Sequence, residues 1–160
     1  PILFQKVFQE ALNQGYLTVA HAGEEGPPDY IWQSLEKLKV KRIDHGVRCV
    51  EDPTLVEYLN KFQIPLTVCP LSNIKLGVYP RLEEHPLQKL LNQGLCVTIN
   101  SDDPAYFGGY IEDNFHACQK AFHLNQNQLF ILGRNAINAS FMDENKKKSL
   151  LNQLDYLQYS

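Results

Sequence analysis

No CxxC pair, no GxGxxG turn and no GxxxxGK[ST] loop occurs in these 160 residues, and each gap removes a class of protein. Cys49, Cys69, Cys96 and Cys118 stand 20, 27 and 22 positions apart, too far for a zinc knuckle or a dithiol redox site, so they read as reduced core thiols. Without a glycine-rich turn, the nucleotide-cradling folds lose their phosphate site. An excess of one charge is missing too: 15 Lys and Arg against 18 Asp and Glu give a formal net charge of −3, which argues against a nucleic-acid partner. No stretch approaches the roughly 18 apolar residues a membrane span requires, so no membrane partner is expected. The opening Pro1-Ile2-Leu3-Phe4-Gln5-Lys6 lacks the basic-then-apolar layout of a signal peptide, and a cytoplasmic location is expected. What is present suits a packed core: 44% of residues are hydrophobic and 21% charged.

The order of elements carries more than the composition. Leu3, Val7, Phe8, Ala11 and Leu12 recur at helical spacing and Gly15 follows as a cap, so the chain opens on an amphipathic helix. Residues 16–20 (YLTVA) then read as a buried strand ending at His21-Ala22-Gly23-Glu24. A second helix carries Tyr30, Ile31, Ser34, Leu35 and Leu38, and a second strand at 40–44 ends at His45-Gly46. Pro53 opens a third helix through Leu59, since proline is tolerated in a first turn. A third strand at 64–69 runs into Pro70-Leu71-Ser72-Asn73. Leu87, Leu90 and Leu91 mark a helix closed by Gly94, and a fourth strand at 95–99 ends at Asn100-Ser101-Asp102-Asp103-Pro104. From Asn114 onward the apolar spacing predicts two or three more helices. No linker interrupts residues 1–160, which read as one domain.

Strands alternating with helices every 25 to 30 residues or so predict repeated β-α units and a parallel sheet. In a barrel of such units the reactive side chains sit at the C-terminal strand ends, which share one face. Here those ends carry His21, Glu24, His45, Asp102 and Asp103. Imidazole and carboxylate are plausible zinc ligands at about 2 Å. Each residue also has a plain structural alternative: His45 before Gly46 closes a turn, and Asp102-Asp103 before Pro104 forms a turn or a helix cap. His85, His116 and His123 fall within or beside helices on the outer layer and read as structural.

Taken together, His21-Ala22-Gly23-Glu24, Asp44-His45-Gly46, Cys69-Pro70-Leu71-Ser72-Asn73 and Ser101-Asp102-Asp103-Pro104 resemble, in order and approximate spacing, the motifs of the adenosine/adenine deaminase family. Residues 42–48 (RIDHGVR), 67–73 (TVCPLSN) and 100–110 (NSDDPAYFGGY) are similar to the adenine deaminase branch. The cytidine-deaminase pattern, HxE with PCxxC, is absent.

The resemblance implies a zinc hydrolase on a (β/α)8 barrel, with His21 and Asp102 as ligands of Zn2+, Glu24 as proton donor, His45 acting on the zinc-bound water and Asp103 holding the purine. It implies deamination of adenine to hypoxanthine and ammonia in purine salvage, with adenosine deamination to inosine as the alternative.

One part of the family pattern has no counterpart. The family supplies two further ligands from an HxH pair at the first barrel strand, and His21, His45, His85, His116 and His123 form no such pair. Four strands are half of the eight that closure requires, and a catalytic zinc usually holds three protein ligands. The expectation is therefore an α/β chain forming the C-terminal half of a TIM barrel, strands five to eight plus C-terminal helices, inactive alone. Its partners would be a small purine substrate and an N-terminal half carrying HxH, with a homo-oligomer possible. A non-catalytic half-barrel that self-associates or pairs with such a half is the remaining alternative.

Overall fold

The computed structural model describes residues 1–159, and its frame is the sequence's alternation of strand and helix. A short 3-10 turn leads into α1 (Gln5–Asn13), followed by β1 (Val19–Ala22), α2 (Pro28–Glu36) and β2 (Arg42–His45). After a 3-10 turn over Val47–Glu51 come α3 (Pro53–Phe62), β3 (Leu66–Val68) and the short α4 (Pro70–Lys75). Then α5 (Leu87–Asn92) leads to β4 (Val97–Ile99), the four-residue α6 (Pro104–Phe107), α7 (Ile111–Phe122), α8 (Gln126–Ala139) and α9 (Glu144–Tyr159).

The sheet has the order β1-β2-β3-β4 and every pairing is parallel. This is the α/β half-barrel expected, with helices joining successive strands as parallel pairing demands. The first strand starts later than the hydrophobic run suggested, at Val19, so that His21 and Ala22 lie within it. Tyr16 and Leu17 are exposed instead. The proline-led α4 and α6 were not predicted, because each is too short to show a periodic apolar face.

Register decides what faces where. Ala20, Ile43, Leu66 and Val97 pair across the four strands as one row, and the next row runs His21, Asp44, Thr67, Thr98. Successive strand residues point to opposite faces, so the first row is apolar and the second is polar. Ile43, Leu66 and Val97 are fully buried and join a core with Ile31, Leu55, Leu59, Leu87, Leu90 and Leu132 from the surrounding helices. Burying such aliphatic side chains contributes roughly 1.5–3 kcal/mol each. The opposite face receives the polar row, and that row begins the site.

Local caps hold the frame. The Asp52 carboxylate accepts from the backbone N–H groups of Thr54 and Leu55 at the start of α3, and also from the Trp32 indole at 2.8 Å. All four cysteines are free and buried, as their spacing suggested. α1 is helical as expected but has no buried residue: Leu3, Phe4 and Val7 near it stand exposed. Among the described residues no helix is long and apolar enough to cross a membrane.

Candidate active site

Loop geometry after each strand converts parallel pairing into a cluster. Beyond β1, Gly23 takes a left-handed conformation (φ 69°), and a Cβ there would overlap the Ile31 side chain, so only glycine lets the chain turn at this point. That turn swings Glu24 back toward the end of β2. His45 and Asp102 are themselves left-handed, at φ 64° and 57°. The other left-handed non-glycine residues sit at or just beyond helix C-termini, where the conformation is commonplace, whereas His45 closes β2 and Asp102 lies in the loop after β4. Such backbone costs on the order of 1–3 kcal/mol and persists where the surroundings demand it.

His45 lies at the centre and is 1% exposed. Its Nδ1 is 3.2 Å from Glu24 Oε1, and its Nε2 faces Asp102 Oδ2 at 3.9 Å. Burial, reinforced by the charge of His21, lowers the His45 pKa and favours the neutral ring. Burial likewise raises Glu24 above the usual carboxylate range, although a hydrogen bond from Asn73 opposes the shift. The pair therefore has an imidazole pushed toward neutrality beside a carboxyl pushed toward its protonated form, a pattern that separates acid and base roles.

The polar row of the sheet supports His21. Its Nδ1 faces Asp44 Oδ2 at 3.4 Å, and Asp44 Oδ1 accepts from the Thr67 hydroxyl at 2.5 Å. A carboxylate on Nδ1 leaves Nε2 free to face a ligand, the kind of outer support that metal-binding histidines commonly have. Asp102 is steadied in the same way, since the Ser72 hydroxyl donates to its Oδ2 at 2.6 Å. Ser72 and Asn73 are fully buried neighbours on α4, so one short helix touches both Asp102 and Glu24.

A cavity of about 380 Å³ opens on this rim, lined among others by His21, Asp44, His45, Cys69, Asn100 and Asp102. That volume suits a small ligand. Glu24 is not among the residues lining this cavity and instead lines a separate depression with Arg48 and Glu51. Asp103 is exposed and accepts from the Tyr106 backbone at 3.2 Å, so it caps α6, the plain role the sequence allowed.

Imidazole nitrogen and carboxylate oxygen are donors that zinc accepts, and His21 and Asp102 each keep one free. Among the described residues the one group of three whose donor atoms converge closely enough to hold a metal ion is a different one, His45, Cys69 and Asp102, with those atoms within 4.8 Å of one another. Cys69 suits a metal poorly: burial pushes its thiol up to about 12, and it donates to the Thr67 carbonyl at 3.6 Å. His21 and Asp102 are the better-suited pair, and they are two donors rather than the three that a catalytic zinc usually holds.

One histidine was misread from the sequence. His85 does not sit on the outer layer: it is 3% exposed and bonds to Asn73 at 3.0 Å. Nothing in its local pattern could have signalled this, because Asn73 is twelve residues away on another helix.

Comparison with known proteins bears on the family and the fold. The adenosine deaminase family model matches residues 2–157. The chain belongs to this family. Among curated members of the adenosine deaminase family, the adenine deaminase of Hahella chejuensis is 60% identical over 159 residues, covering 99% of this chain and 48% of its own length. The adenine deaminase of Crocosphaera subtropica is 59% identical over 150 residues, covering 94% and 46%. The crystal structure of an adenine deaminase from Arthrobacter aurescens superimposes with a TM-score of 0.96 at 44% identity, over 98% of this chain and 48% of that one. An amidohydrolase from Burkhoderia ambifaria, solved with bound Zn, gives 0.87 at 25% identity, over 99% and 47%. The chain thus spans about half the length of the relatives it matches.

Proposed function

We propose that this chain forms the strand-five-to-eight half of a zinc-dependent adenine deaminase that converts adenine and water to hypoxanthine and ammonia. The observation that carries the reading is the contact of His45 with both Glu24 and Asp102 at the ends of three parallel strands or their loops. Identity of 52–60% to curated adenine deaminases supports adenine rather than adenosine as the substrate.

In this reading His21 and Asp102 hold the metal together with ligands from the other half of the barrel. Zinc bound there would supply Lewis-acid activation of water near neutral pH. Attack at C6 makes the purine N1 more basic, and Glu24 protonates it. Glu24 Oε1 accepts from Asn73 at 2.6 Å, so Oε2 is the oxygen left to carry that proton. His45, near neutrality and braced on its Nδ1 side, orients the attacking water and takes or returns its proton. Asp103 grips N7; because N7 is itself an acceptor, the contact runs through a proton on Asp103 or a bridging water. Collapse of the C6 adduct expels ammonia and leaves the carbonyl of hypoxanthine.

The open polar face of the sheet and the exposed apolar residues around α1 support a companion half-barrel as partner. Cytoplasmic purine salvage is the setting that fits this reaction. Liquid chromatography of products from the full-length protein tests the substrate: hypoxanthine formed from adenine, with little inosine from adenosine, is the expected result. Preferential inosine formation would overturn it.

A further inference from the structure

We propose that His85 is a positioning residue for Glu24, fixing the Asn73 side-chain amide so that its N–H group can only point at the Glu24 carboxyl. The inference rests on Glu24 being the acid of the reaction. His85 itself lies outside the cavity and touches none of the groups assigned a chemical role.

Three contacts carry it. Pro86 has no N–H, so the first free backbone donor entering α5 is that of Leu87, and it donates to His85 Nδ1 at 3.1 Å. That bond makes Nδ1 an acceptor and leaves the ring proton on Nε2. Nε2 lies 3.0 Å from Asn73 Oδ1, which it therefore meets as a donor. With Oδ1 occupied, Asn73 Nδ2 is directed the other way, to Glu24 Oε1 at 2.6 Å, and it passes 3.4 Å from His45 Nδ1. A flipped amide would set its oxygen against the Glu24 carboxylate and its NH2 group against the His85 donor, two repulsive contacts in a buried place. The backbone start of α5 thereby dictates an amide orientation, the amide holds Oε1 as an acceptor, and the transferable proton is confined to Oε2.

Surroundings keep His85 in this form. Its ring packs edge-to-face with that of Tyr79, the centroids 5.0 Å apart, and burial pushes its pKa down to about 3, so it stays neutral through any working pH. A neutral histidine that never titrates is a fixed donor-acceptor bridge, suited to orientation and unsuited to proton transfer.

The test uses the full-length protein, with His85→Leu and His85→Gln compared for adenine turnover, KM and bound zinc. Leucine removes the donor, whereas the glutamine amide reaches the place of Nε2 and restores it. His85→Leu is expected to lower kcat about 10- to 100-fold with KM within about 3-fold and zinc retained, as when a reacting group is misplaced. His85→Gln is expected to recover most of the loss. If both variants keep wild-type kcat, or if glutamine fails as badly as leucine, the positioning role is wrong. Long-range 1H–15N spectra of the unmodified protein give a second check: the proton is expected on His85 Nε2, and a proton on Nδ1 overturns the inference. Glu24→Gln in the same series separates the two readings, since undiminished turnover there refutes the acid role whatever the His85 spectrum shows.

Discussion

The two sides of the rim are finished to different degrees. On one side Glu24, His45, Asn73 and His85 form a continuous, mostly buried chain of contacts, with each ring and amide held by a partner. On the other side the His21 side chain is 72% exposed and Asp102 brings a second donor, each steadied by one neighbour but facing open space. The contrast teaches where preorganisation is local. The proposed acid and base are held by burial and short contacts from the loop after β1, the end of β2, α4 and the approach to α5, all within this chain. Metal binding needs convergence of more ligands than four strands deliver.

The sharpest way to break this division is at the exposed side. His21→Ala or Asp102→Ala in the full-length protein should abolish zinc retention and lower turnover by about 10³-fold or more, as loss of a catalytic ligand does. Metal analysis with kinetics checks it, and full zinc occupancy in either variant would move these residues out of the ligand set.

Asp103→Ala should have a smaller effect confined to substrate handling. A lost purine contact costs on the order of 1–3 kcal/mol, or roughly 10- to 100-fold in kcat/KM, with zinc retained. Loss of metal in that variant would instead place Asp103 on the ligand side. The α6 cap would be lost as well, so the comparison should include Asp103→Asn, which keeps a capping oxygen.

The smallest effect concerns stability on the buried side. His85 has a folded pKa of about 3 against an unfolded value near 6.5, so below pH 6.5 the unfolded chain binds a proton that the folded one does not. Stability is therefore complete above that pH and falls as pH drops, by about 1.4 kcal/mol per pH unit from this group until pH 3 is reached. Urea unfolding of the full-length protein across pH 7 to 5 should show a shallower acid slope in His85→Gln than in the unmodified protein. Equal slopes would mean that the ring accepts a proton while folded.

The two sides were also unequally legible in the sequence. Strand ends announce themselves through a buried apolar run followed by a polar turn, so His21, Glu24, His45, Asp102 and Asp103 could be picked out, and the parallel order of the sheet predicted. Residues that hold them in place could not. Asp44 and Thr67 meet only because β2 and β3 pair in register. Ser72 and Asn73 stood in a motif but gained their roles from α4, a helix too short for periodicity to reveal. His85 looked like a surface residue because its partners, a backbone N–H and an amide from another helix, leave no trace in its own neighbourhood. The start of β1 was misjudged for a related reason: Tyr16 and Leu17 are apolar but lie outside the pairing that defines the strand.

Everything assigned to the buried side depends on Glu24 acting as the acid. Adenine turnover and zinc content measured on one preparation of full-length Glu24→Gln test that most directly. Turnover reduced by about 10²- to 10⁴-fold with zinc unchanged is the predicted result. Near wild-type turnover in a folded, zinc-replete variant would contradict it.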